Sequence, residues 1–321
     1  CGQRYTGTVC QTCAMLDFIQ QPVQLFLSLS AGSLKGFVLT DALPYIQDFK
    51  GSTVLVKLGG SVMEVEENLD SIMADIAFMS AVGIKVVIVH GGGKAISKAM
   101  ADAGLEARFV NGLRVTTPEA IDIVERTLSG TINPGLVEMM RAAGGKAVGI
   151  PGTNVFVGEK LMEKDAEGNP VDIGMVGRVI GSQLSRVEEA LSLQLTPVIS
   201  PLARELGTHQ ALNVNADLAA AALACELKPV KLVYISDVPG LMLDPKDPST
   251  IVKSINRKEA FQLIDEGVIS GGMIPKVKSA VDALNAGVRK VHFIDGRLPH
   301  TLLLEIFTPE GIGTEIVREQ R

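Results

Sequence analysis

The chain has 321 residues, 46% of them hydrophobic, with 30 Lys and Arg against 36 Asp and Glu for a formal charge of −6. That length and apolar content suffice for one large α/β domain or two smaller ones, and a mild acidity without any block of like charge argues against nucleic acid as a partner. No window approaches the roughly 18 consecutive apolar residues of a membrane span, the longest candidate being 218–224. Cys1, Cys10, Cys13 and Cys225 give no disulfide framework, which suits a reducing, cytoplasmic setting. Cys10 and Cys13 form a C-x-x-C pair, but no second Cys/His pair follows at zinc spacing, so no metal ligands are expected.

In chain order, residues 1–34 lack periodic patterning. The apolar patch 23–27 is too short for a secretory core, and Arg4 alone is too little charge for a transit peptide. They read as a poorly ordered extension. Residues 35–50 read as an N-terminal helix that Thr40 or Asp41 can cap, with Ala42, Leu43, Ile46 and Phe49 on one face. Thr53–Leu58 is strand-like and runs into Gly59-Gly60-Ser61; Leu69, Ile72, Met73 and Ile76 then recur at helical spacing over about Glu66–Ala81. The unit repeats: Val86-Val87-Ile88-Val89 passes through His90 into Gly91-Gly92-Gly93 and a helix over 94–101. A continuous apolar run suits a strand covered on both faces, and the free N–H groups of a helix start, behind glycines, suit an anion. Three glycines alone can equally be a flexible connector.

Further strands are expected at Ala147–Ile150, 197–200, Lys231–Ser236 and 290–294, with hairpins between 154 and 179. The alternation of strand, glycine turn and helix predicts an α/β fold: an open, mainly parallel twisted sheet with helices on both faces and ligands at the strands' carboxyl ends. The one subdivision falls between Pro201 and Asn213, splitting a domain of residues 51–321 into lobes of about 51–205 and 206–321.

Lys57 lies inside an apolar strand just before Gly59-Gly60. A compact cation beside bare amides suits a transferring phosphoryl group; the alternative is a lysine on a wet strand face. Lys276 follows Ser270-Gly271-Gly272-Met273-Ile274-Pro275, read as a loop before a helix over 277–286, and is otherwise a first-turn surface lysine. Asn213-Val214-Asn215-Ala216-Asp217 precedes an Ala-rich helix; one polar residue can cap it, leaving Asn213 and Asp217 for a ligand or the lysines. Arg114, after the Asn111-Gly112 turn, suits a carboxylate held bidentately, or equally a surface glutamate. His90 and His300 have no Ser, Cys or Asp partner at nucleophile spacing, so neither is assigned a catalytic role.

Together the segments K-L-G-G-S (57–61), V-H-G-G-G (89–93), N-G-L-R-V-T (111–116), D-I-G-M-V-G (172–177), N-V-N-A-D (213–217), S-D-V-P-G-L (236–241) and S-G-G-M-I-P-K (270–276) resemble the amino acid kinase family, over about residues 42–317. Within that family, N-G-x-R-V-T and S-G-G-M-I-P-K are the parts that resemble the branch acting on N-acetyl-L-glutamate. The resemblance implies an amino-terminal lobe for N-acetyl-L-glutamate and a carboxyl-terminal lobe for ATP with Mg2+. By position, Lys57 and Lys276 would stabilise the γ-phosphoryl, Asp217 would hold both ammonium groups, and Gly59, Gly60, Gly92 and Gly93 would donate backbone hydrogen bonds. Arg114 and Asn213 would grip the substrate, while Ser236, Asp237, Gly240, Leu241 and Ser270 would line the nucleotide. Lys94 departs from the proline common there in the family. The tail 300–314 is similar to the arginine-inhibited form, which implies an effector site at His300, Glu305, Gly311 and Gly313, and a homodimer that the N-terminal helix can join into a hexamer. A plastid stroma is the alternative location.

Two rival readings remain at this level. A dinucleotide-binding dehydrogenase shares the sheet, yet no G-x-G-x-x-G follows the first strand. A non-catalytic amino-acid sensor would have no need to keep Lys57, Asp217 and Lys276 together.

Overall fold

Strand β1 (Thr53–Leu58) and its neighbour β2 (Lys85–His90) bury successive residues regardless of parity, as only a strand with packing on both sides can. The computed structural model describes residues 31–164, 168–244, 246–309 and 311–318, the side chains of 31–35 excepted. Two units are present, residues 1–48 and 49–321.

The first unit contributes helix α1 (Ala31–Phe49), whose last residue belongs to the second. The helix takes in 31–34, which the sequence pattern assigned to the extension. Thr40 is no cap: it sits mid-helix and its hydroxyl donates back to the carbonyls of Gly36 and Phe37, the usual recourse of a threonine inside a helix. Phe37, Val38, Leu39 and Leu43 are exposed on it. Residues 1–30, with Cys1, Cys10 and Cys13, lie outside the described residues.

In the second unit the chain runs on through α2 (Glu66–Ala81), α3 (Gly93–Asp102), the short strands β3 (Phe109–Val110) and β4 (Leu113–Arg114), and α4 (Pro118–Glu125). A π-helical turn (Arg126–Ile132) leads into α5 (Asn133–Ala142) and β5 (Ala147–Ile150). The long strands β6 (Phe156–Lys164) and β7 (Pro170–Ser182) follow, then α6 (Ser185–Ser192), β8 (Thr196–Ile199), β9 (Leu202–Glu205) and β10 (Ala211–Val214). The carboxyl-terminal part holds α7 (Ala216–Leu227), β11 (Lys231–Ser236), β12 (Ser254–Asn256), α8 (Arg257–Asp265), α9 (Met273–Ala286), β13 (Lys290–Asp295), α10 (Thr301–Phe307) and β14 (Thr314–Val317).

Eight strands form one sheet in the order β12-β14-β13-β11-β1-β2-β8-β5. All pairings are parallel except β13 with β14, so the mainly parallel expectation holds and the reversal is confined to one edge. Side-chain alternation sorts the layers. Leu55, Val87, Val89, Leu232 and Tyr234 pack into one core with Ala219, Ala220 and Leu223 of α7 and Ala280 and Leu284 of α9. Helix α2 covers the other face together with α5 and α10. Burying one large apolar side chain is worth about 1.5–3 kcal/mol, so this double cover makes the sheet a stiff platform.

A second, closed four-stranded sheet, β10-β7-β6-β9, stands beside it. Its β6–β7 pair is the hairpin expected between 154 and 179. Helix α9 begins at Met273, a turn earlier than the spacing predicts, because Pro275 falls in the first turn, where the missing N–H has no intrahelical acceptor to lose.

Candidate active site

Strand alternation decides where Lys57 points. It shares parity with Leu55, so its side chain rises on the α7 side of the sheet, at the level where that helix begins. Asn215 caps α7, accepting from the N–H groups of Asp217 and Leu218. Asp217 is thereby left in the first turn with its carboxylate free to reach outward. Its Oδ1 lies 2.6 Å from the Lys57 ammonium and its Oδ2 lies 3.8 Å from that of Lys276, which enters on the first turns of α9. Two lysines 219 positions apart in the sequence therefore share one carboxylate. Beneath them Tyr234, paired in register with Lys57, is buried against Phe293 and approaches the Asp217 carbonyl and the Ser279 hydroxyl at 3.3 Å each. Burial raises its pKa, so it is a neutral support.

The two glycine turns meet above β1 and β2. A Cβ on Gly60 would stand 3.4 Å from the Gly93 nitrogen and 3.6 Å from that of Gly92. The N–H groups of Gly60, Gly92 and Gly93 meet no acceptor among the described residues. Gly59 is different and corrects the expectation for it: its N–H donates to the Ile235 carbonyl at 2.8 Å, while the carbonyl of the same peptide, from Leu58, accepts from Gly91. That peptide is engaged on both sides within the sheet, and Gly59 is glycine because a Cβ would meet the Ile235 oxygen at 2.8 Å. Gly92 is required too, since a Cβ would meet Ile132 and Leu128 at 2.6 and 2.7 Å.

Lys57, Gly60, Gly92, Arg114, Asn213 and Asp217 border one cavity of about 220 Å3. Arg114 is no surface residue. It is buried, its Nη2 donates to the Gly93 carbonyl at 2.6 Å and the Ser97 hydroxyl at 2.7 Å, and no acidic group pairs with it among the described residues. Burial lowers its pKa. Its guanidinium stacks 4.7 Å from the centre of the Phe109 ring. Sequence reasoning missed Phe109, although Asn111-Gly112 signals a two-residue hairpin turn and thereby sets Phe109 opposite Arg114. Asn213 donates to the Thr116 hydroxyl at 3.1 Å. Another cavity, about 290 Å3 between β5 and α6, holds none of these residues.

The remaining candidates do not line that cavity. Ser236 ends β11 buried against Gly59, with its Cα 3.3 Å from where a Gly59 Cβ would be; Asp237 and Ser270 are exposed. Gly240 and Leu241 are buried, the Leu241 N–H donating to Thr314. The effector candidates separate into two clusters. His300 starts α10 and turns to Asp75 of α2, 2.7 Å away, whose own pKa burial raises. Glu305 turns instead to the buried His292 at 2.5 Å and accepts from the N–H groups of Ile312 and Gly313. Burial would raise Glu305, but the His292 ring and those amides outweigh it and hold its pKa low. Gly311 needs its small size: a Cβ would lie 2.7 Å from that carboxylate. His300 thus belongs to a different contact from Glu305, Gly311 and Gly313, because successive turns of α10 face different partners.

A sequence model of the amino acid kinase family matches residues 52–295. The chain is 71% identical over 284 residues to an acetylglutamate kinase of Akkermansia muciniphila, covering 88% of this chain and 96% of that one. It is 42% identical over 286 residues to an acetylglutamate kinase of Syntrophomonas wolfei, covering 89% and 98%. Among solved structures it is similar to N-acetylglutamate synthase from Neisseria gonorrhoeae complexed with coenzyme A and N-acetyl-glutamate, at 25% identity and a TM-score of 0.77. That likeness covers 88% of this chain and 63% of the synthase.

Proposed function

The chain belongs to the amino acid kinase family, with the acetylglutamate kinases of that family as its relatives, and from that premise we propose that it moves the γ-phosphoryl of ATP to the γ-carboxylate of N-acetyl-L-glutamate. The observation that carries this reading is the sharing of Asp217 by Lys57 and Lys276 beside three unengaged glycine amides.

The chemistry asks little of the protein beyond placement. A carboxylate is already ionised at neutral pH, so the attacking oxygen needs no general base. Phosphoryl transfer then depends on alignment and on neutralising the oxygens around phosphorus. In this reading the carboxylate oxygen bonds to the γ-phosphorus as the bond to the ADP oxygen breaks. Lys57 and Lys276 take the charge, Asp217 keeps the two ammonium groups from repelling each other, and Gly60, Gly92 and Gly93 donate to the equatorial oxygens. Arg114 and Asn213 receive the α-carboxylate and its neighbours, and Ser236, Asp237, Gly240, Leu241 and Ser270 border the nucleotide. Mg2+ is assigned to the cosubstrate: no group of three or more His, Cys, Asp or Glu converges among the described residues, and this ion is commonly held by phosphates with one or two carboxylates.

Three finer points belong to the same proposal. Arginine inhibits through the Glu305, Gly311 and Gly313 cluster, with His300 left out. The exposed Phe37, Val38, Leu39 and Leu43 of α1 pair with a second copy and link homodimers into a hexamer. The site of action is the cytoplasm; no helix among the described residues is long and apolar enough to cross a membrane.

The test is to incubate the chain with ATP, Mg2+ and hydroxylamine and to supply N-acetyl-L-glutamate, glutamate or aspartate in turn. Hydroxamate from the acetylated substrate alone supports the proposal; none from it overturns the proposal. Millimolar arginine should slow the reaction, and an unchanged rate removes the inhibitor from the account.

A further inference from the structure

His90 ends β2 fully buried and takes no part in the chemistry above. Its Nδ1 lies 2.8 Å from the carbonyl oxygen of Gly91, the next residue. A carbonyl can only accept, so Nδ1 carries the proton. Its Nε2 lies 3.3 Å from Nδ2 of Asn133, which also donates to the Val198 carbonyl at 2.8 Å. An amide nitrogen can serve both acceptors, so Nε2 is the bare, accepting nitrogen. Every polar atom of the ring is thus assigned by its neighbour's chemistry, and the ring is a neutral imidazole with one tautomer. Burial reinforces this, lowering its pKa to about 4.

The consequence lies one bond further on. In a trans peptide the C=O and N–H point in opposite directions. With the Gly91 carbonyl held back against the ring, the Gly92 N–H of the same peptide is aimed away from it, on the side of the cavity that Gly92 borders. The next peptide is set independently, because the Gly92 carbonyl accepts from Ile96 as the first bond of α3. Glycines on both sides would otherwise let the 91–92 peptide rotate.

We propose that His90, held in its Nδ1-protonated form by Asn133, is a positioning residue that fixes the Gly92 amide as a donor to the substrate or phosphoryl oxygens. The inference rests on the phosphotransfer reading for what the amide donates to, but the tautomer is independent of it.

Three measurements test it. In 15N spectra of histidine-labelled wild-type protein, His90 should appear as the neutral Nδ1–H tautomer and stay so between about pH 5.5 and 8.5; an Nε2–H signal, or titration near the ordinary value of 6.5, overturns the proposal. His90→Leu keeps the apolar volume and removes the donor: kcat should fall roughly 10- to 10³-fold, with KM for ATP within about twofold. His90→Asn places an amide nitrogen close to where Nδ1 stands and should recover about tenfold of that loss. Equal kcat values in two folded variants, or a His90→Leu enzyme with wild-type kcat, reduce His90 to packing and overturn the proposal. Should His90→Leu fail to fold, the wild-type spectra and the kcat of His90→Asn, which must exceed roughly a hundredth of wild type, still decide it. An inactive wild type would sink the kinase reading instead, and the spectra would report the tautomer regardless.

Discussion

Asp217→Asn is the perturbation that separates a shared counter-ion from an incidental salt bridge. The carboxylate is 14% exposed and the Lys57 side chain 8%, so the substitution leaves an ammonium group with little water to compensate it. Removing one partner of a buried pair costs about 3–5 kcal/mol. The border of the cavity and the carbonyl that asparagine retains put the expected loss at about 3 kcal/mol. At about 2–4 °C per kcal/mol for a large domain, the melting temperature should drop by about 6–12 °C. The sign reverses for anions: with the negative charge gone, the two lysines attract a triphosphate more strongly, and bound ligand stabilises the folded state by mass action. ATP should therefore close about half of the gap in melting temperature, while turnover, followed as hydroxamate, falls by roughly 10²–10³ because the lysines are no longer aligned. A variant that melts with the wild type, or whose deficit ATP leaves untouched while turnover persists, would refute the reasoning.

Three other outcomes follow from the geometry. Arg114→Lys loses the planar fork that reaches Gly93 and Ser97 and stacks on Phe109, so KM for N-acetyl-L-glutamate should rise by about 1.5–3 kcal/mol equivalent, with KM for ATP unmoved, in steady-state kinetics. Gly92→Ala drives a Cβ into Ile132 and Leu128, costing about 1–3 kcal/mol in denaturant unfolding and shifting the adjacent amides. Stability should also fall with acid. His90 is held at about 4 against 6.5 in the unfolded chain, so below pH 6.5 the unfolded state binds more protons and stability decreases as pH drops from 6.5 toward 4. Glu305, held low, adds a loss below about 4.5, and Glu305→Gln should remove that second part from pH-dependent urea melts.

Much of this was legible in the residues themselves. The apolar runs at 53–58 and 86–89 with glycine turns after them dictated a doubly covered parallel sheet, and a lysine within such a run had to have a reason to be there. Asn215, Asn213 and Asp217 divided their tasks as alternating polar positions at a helix start suggest, one capping and two reaching elsewhere. What the spacing hid depends on register between distant segments. The Gly59 amide is engaged because β11 lies beside β1, and nothing within 57–61 specifies that neighbour. His300 finds Asp75 from 225 positions away and so leaves the tail cluster. The reversed strand β14 and the strands β9 and β10 mix polar with apolar residues over four positions, too few for alternation to show and without the continuous apolar run that marks the buried strands.

The most direct measurement is a crystal structure with ADP, aluminium fluoride and N-acetyl-L-glutamate bound. The account predicts the ammonium groups of Lys57 and Lys276 on the same fluoroaluminate, from opposite sides, with the Gly60, Gly92 and Gly93 amides completing its shell. Lysines directed into separate cavities, or a fluoroaluminate held without either of them, would contradict it.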